Sequence, residues 1–119
     1  MIDVYPEVKT GLLGNSSLIT ILGGPRVYQQ VAPRPNEFPR ISFFEMTNFD
    51  TGFADDTAIA SEIHLQIDIW SKGSTTDVAG EVDKTMKALG YKRTGSADLY
   101  EEDTKIFHKA LRYSTEREI

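Results

Sequence analysis

The side chains best suited to chemistry lie close together in Glu62–Lys72, EIHLQIDIWSK. His64, Gln66, Asp68 and Trp70 supply an imidazole, an amide, a carboxylate and an indole, and they alternate with the aliphatic Ile63, Leu65, Ile67 and Ile69. A period of two is that of a strand with one greasy face and one polar face. The polar face is either an active site or a surface built to meet another protein.

Known templates decide little in favour of catalysis. A metal site needs converging ligands, and the two histidines, His64 and His108, show neither HxH nor HExxH spacing. The functional reading is that His64, Asp68 and His108 meet across adjacent strands; the plainer one is that they occupy solvated or interface faces. A nucleophilic serine would need a base and an oxyanion site, yet there is no GxSxG turn, and Ser16, Ser17 and Ser74 suit helix ends. The glycines of GLLG, LGGP and ALGY match neither a dinucleotide fingerprint nor a phosphate loop. Asp55 with Asp56, and Glu101, Glu102 with Asp103, lack the ligand spacing and closing glutamate of a calcium loop and read as solvated turns. No pair of carboxylates is singled out for hydrolysis. The expectation is a protein that is not an enzyme and takes no cofactor or metal.

The rest of the chain narrows the class. Its 119 residues suit a single domain, 1–119, with one core. No apolar run approaches the roughly 20 residues that cross a bilayer, and MIDVYPEVKT lacks the basic start and apolar centre of a signal peptide. The expectation is a chain that stays where it is made, without a membrane. With no cysteine, there are no disulfides or thiolate sites, and stability rests on packing. A net charge of −5 opposes an electrostatic grip on nucleic acid, although Arg26, Arg34 and Arg40 bracket one loop.

The elements that must position the EIHLQIDIWSK face can be read in order. Val4, Val8 and Leu12 have helical spacing, with Asp3 as a cap and Pro6 in the first turn. Asn15–Ser17 can start a second short helix that Gly23, Gly24 and Pro25 end. Arg26–Val31 reads as a short strand, and APRPNEFPR as a stiff extended loop. RISFFEMTN reads as a strand and FDTGFADDTA as turns. Asp50 to Ala60 is therefore expected to be a mobile excursion that partners order. Ser74-Thr-Thr-Asp77 has capping-box spacing, and Val78, Val82, Met86 and Leu89 share one face of the helix it opens. Tyr91–Leu99 and Lys105–Tyr113 read as a terminal hairpin. This order predicts an α+β two-layer sandwich: an antiparallel-rich, possibly mixed, sheet with helices packed on one face.

Taken together, PRVYQQVAP, FPRISFFEMTNFD, ADD, EIHLQIDIWSK, EVDKTMKALGYKR and LYEEDTKIFHKALRYS, in that order, resemble the tail completion or head-to-tail joining proteins of long-tailed phages and prophages, which are akin to tail terminators. The match covers nearly all of Arg26–Ser114 and brings no catalytic motif with it. The resemblance implies a virion structural protein, made in the host cytoplasm, that completes or terminates the tail at the head–tail junction. Its implied partners are the tail tube protein and head connector proteins, with self-association as a hexameric ring. On this reading His64, Gln66, Asp68 and Trp70, with Asp55 and Asp56, are the candidate protein-interface residues. The alternative is a small intracellular peptide- or ligand-binding module.

Overall fold

The computed structural model describes residues 1–119. Two short helices, α1 (Tyr5–Leu13) and α2 (Ser16–Leu22), precede strand β1 (Val27–Gln29) and the long strands β2 (Arg40–Ala54) and β3 (Thr57–Ser71). Helix α3 (Thr76–Ala88) and strands β4 (Lys92–Glu101) and β5 (Ile106–Glu118) complete the chain. The strands form one mixed sheet in the order β1-β2-β3-β5-β4, parallel only between β1 and β2. The fold is α+β, as the pattern of elements predicts.

Local signals explain both ends of α2. Asn15 caps α2 with its Oδ1, which accepts from the Leu18 amide, and its Nδ2 donates to Thr85 Oγ1 at 3.0 Å, tying α2 to α3. Gly23, at φ 78°, ends α2 in the left-handed conformation that glycine adopts without strain. The expected capping box on α3 does not form. Ser74 Oγ accepts from the Thr76 amide instead, and the residue at the N-cap, Thr75, makes no side-chain cap.

All the helices pack on one side of the sheet. Val4, Val8 and Leu12 of the first segment, Leu18 and Leu22 of α2, and Val78, Val82 and Met86 of α3 are buried against Ile63, Leu65, Ile67 and Ile69 and their neighbours Phe43, Leu111 and Tyr113. Burying each such side chain contributes about 1.5–3 kcal/mol, so this contiguous cluster accounts for the covered face. Polar clamps at its rim set the helices' positions. Tyr113 donates to Asp83 Oδ1 at 2.8 Å, Tyr91 donates to Glu7 Oε1 at 2.8 Å, and Arg117 grips both Glu7 oxygens at 2.7 and 3.1 Å. Burial and the acidic partner push both tyrosines above their usual range, and the hydrogen bond to Glu7 raises Arg117 despite its burial.

A second expectation is corrected. Asp50–Ala60 is not an irregular excursion: β2 and β3 stay in register to the pair Ala54↔Thr57, leaving only Asp55 and Asp56 as the turn. Both have positive φ, 50° and 65°, the signature of the tight hairpin turn whose twist matches the strands it joins. Asparagine–glycine is the usual signal for that turn, and two aspartates hide it. Because β5 ends opposite Ala60, the last residues of the hairpin project as a two-stranded arm. Strands of this length span about 50 Å, which matches the 53 Å long axis of the molecule.

Candidate protein interface

The sheet face away from the helices is where three strands bring the polar side chains together. The register places Ser42 opposite Asp68 and Arg40 opposite Trp70 on one side of β3. On its other side stand Arg112 opposite Gln66, Ala110 opposite Asp68, and His108 opposite Trp70. Directly paired residues share a face of the sheet, so these residues become neighbours.

Asp68 is the centre of the resulting network. Its Oδ1 accepts from Gln66 Nε2 at 2.8 Å and lies 2.7 Å from His108 Nε2, a contact in which an ionised carboxylate can only accept. Arg112 Nε donates to Gln66 Oε1 at 3.1 Å and extends the chain outward. Trp70 stacks on His108, with ring centres 3.8 Å apart and planes 11° apart, and its indole nitrogen donates to Ser42 Oγ at 3.1 Å. The Arg40 guanidinium lies over the Phe38 ring at 4.6 Å and over Trp70 at 5.4 Å. Burial draws its pKa down, against the opposing pull of Glu101 and Tyr28. Asp68 is only 6% exposed although no helix covers it: Gln66 and His108 bond to it, and Ser42 and Ala110 stand opposite it on the neighbouring strands.

The arrangement holds one imidazole against one carboxylate. His108 is oriented by a carboxylate, but its only side-chain hydrogen bond is to Asp68, and no hydroxyl reaches it. No group of three or more His, Asp or Glu stands close enough to hold a metal ion. The network fixes the shape and polarity of a surface flanked by shallow hollows. One, of about 250 Å³, lies between Trp70, Arg40, Ser42 and Val31; another, of about 440 Å³, is bordered by Gln66, Leu99, His108 and Arg112. Arg26 and Arg34 add no free positive patch: both pair with Glu37 and staple the proline-rich loop.

The residues anticipated from the sequence fall into three places. Gln66, Asp68 and Trp70 join the network. His64 is on the same face but outside it, 3.4 Å from Glu62 and stacked on Phe49 at 6.3 Å. The meeting of His64, Asp68 and His108 is thus only half realised. Asp55 and Asp56 sit at the tip of the arm. Ser42, Arg40 and Arg112 were not anticipated, and His108 only as a potential metal ligand. The alternation of His108, Ala110 and Arg112 along β5 was visible, but nothing in one strand's pattern states which residue of another strand stands opposite.

Two of three comparisons with known proteins find a match for the chain. Residues 7–116 match the family described as tail completion protein gp17. A chain in the structure of the virion of native gene transfer agent (GTA) particle superposes with a TM-score of 0.69 over 94% of this chain and 92% of that one, at 15% sequence identity. At that identity the likeness is one of fold. No curated protein matches the sequence.

Proposed function

The chain belongs to the tail completion protein gp17 family and is a phage virion structural protein of tail completion; from this premise we propose that it acts by geometry and not by catalysis. Copies of the chain close into a sixfold ring on the end of the tail tube. The ring then offers its outer surface to the head connector at the head–tail junction.

The observation that carries this reading is the open sheet face, where Gln66, Asp68, Trp70, His108 and Arg112 are locked to one another without a helix above them. Interfaces are anchored by aromatic and arginine side chains held in place before the partner arrives, since less freedom is then lost on binding. Closure should be conditional. Subunits at a net charge of −5 repel, so a template that contributes its own contacts is needed to hold them together.

The test is a phage in which this gene carries an amber codon. Without suppression, heads and tails should accumulate separately; infectious particles in normal yield would overturn the reading. Light scattering of the purified protein with and without isolated tails examines the conditional step. A stable hexamer at low micromolar concentration without tails would defeat that step alone. Trp70→Ala should fold and yet join poorly; a protein that unfolds would assign Trp70 to its own chain's stability instead.

A further inference from the structure

The β2–β3 arm has the surface of a segment made to be covered. Phe53 is 65% exposed, Ile59 52% and Phe49 46%, all on a strand pair that carries little core of its own beyond Ala60. Asp50, Asp55 and Asp56 flank these residues, and none of them has an ion-pair partner. Asp55 and Asp56 also hold left-handed backbone angles, which cost aspartate more than they would cost asparagine or glycine. The tip thus keeps two carboxylates where a better turn former would fit.

The opposite edge of the same sheet carries the complement. The hollow of about 440 Å³ between β4 and β5 has an apolar floor of Ala97, Leu99 and Ala110, and no carboxylate lines it. Arg112 borders it, held only through Gln66. Lys92, paired in register with Ser114, stands on the same face, is exposed and has no ion pair. β4 is also the free edge of the sheet, with main-chain groups turned outward. A molecule's own arm cannot reach this groove. Two strands, β3 and β5, stand between β2 and β4, and the paired strands run away from the body.

Resting on the self-association reading above, we propose that the acidic, aromatic arm tip of one copy seats in the β4–β5 groove of the next copy. Phe53 supplies the apolar contact, and Asp55 and Asp56 face Lys92 and Arg112. The two patches differ, so the contact is head-to-tail, the kind that repeats around a closed ring.

The chain lacks cysteine, so two single-cysteine variants report on this contact cleanly. Ala54→Cys and Ala97→Cys copies are mixed, loaded on isolated tails and treated with a short bismaleimide, while quantitative mass spectrometry counts copies per tail. The expected product is the crossed Ala54→Cys to Ala97→Cys dimer, with the double variant giving a ladder of higher multimers. Several copies per tail without crossed product, or with only Ala54→Cys self-pairs, would overturn the arm–groove contact and leave the ring standing. One copy per tail would overturn both. As a second arm, Asp55→Lys/Asp56→Lys and Lys92→Glu/Arg112→Glu should each lower loading on tails by at least about tenfold through like-charge contact, and a mixture of the two should restore crossed pairing. No restoration, in variants whose circular dichroism matches the parent, counts against the charge pairing.

Discussion

The two faces of β3 come from one strand and are held by different physics. Ile63, Leu65, Ile67 and Ile69 are fully buried beneath three helices, in contacts that ask only for apolar volume. Asp68, one residue along, is nearly as buried on the side with no helix, and its burial depends on a particular set of partners. A carboxylate can be enclosed there only because Gln66 and His108 satisfy it, and removing one partner leaves the others unpaired in a dry site. The covered face therefore specifies the fold, while the open face spends its order on a surface.

The sharpest way to break this contrast is to damage each face in turn. Ile67→Ala should cost about 2–5 kcal/mol in urea or guanidinium unfolding, the range for a large-to-small change in a packed core. A loss below about 1 kcal/mol would mean the helix layer closes over the gap. Asp68→Ala should cost less, about 1–3 kcal/mol, and should also free the Trp70 ring from its ordered stack on His108, changing its fluorescence. Asp68→Asn keeps an acceptor and should restore part of the loss. An Asp68→Ala protein as stable as the parent would make the network ornamental.

A polar clamp on the covered face separates polarity from position. Burial works against the charged form of Asp83, but hydrogen bonds from Lys87 and Tyr113, with the charges of Arg93 and Lys87, more than offset it and hold the carboxyl below its usual range. A lowered folded pKa means stability that is fully present above the unfolded value, about 3.9, and is lost as pH falls through the folded one. Asp83→Asn should cost about 1–2 kcal/mol at neutral pH, and the gap to the parent should shrink in acid. A gap that stays constant down to pH about 2 would remove the linkage.

The smallest expected change is at the arm. Asp55→Asn/Asp56→Gly matches the residues the tight turn favours, so unfolding should report a gain of about 0.5 kcal/mol. Loading on tails should fall at the same time. A variant that gains stability and loads normally would show that the aspartates serve the turn alone.

Much of this was legible from residue types. The period-two pattern of residues 63–70 is set by alternation, and the helix faces of Val4–Leu12 and Val78–Met86 by a period near four, because burial rewards a contiguous apolar stripe whatever lies opposite. The order of elements pointed to an α+β fold, and the ordered set of stretches from PRVYQQVAP to LYEEDTKIFHKALRYS pointed, by resemblance, to a phage tail completion protein. Which groups meet was not legible. Pairing of Trp70 with His108, and of Gln66 with Arg112, depends on strand order and register between segments some 40 residues apart, and no local propensity encodes register. The shift between Glu45 and Thr47 then sets which β2 residues face His64, and the paired aspartates concealed a hairpin where composition suggested a loose loop. Local sequence determined which face of each element is apolar, through side-chain period and burial; tertiary structure alone decided which polar groups become neighbours, because hydrogen bonds need partners within about 3 Å and only the assembled sheet brings them there.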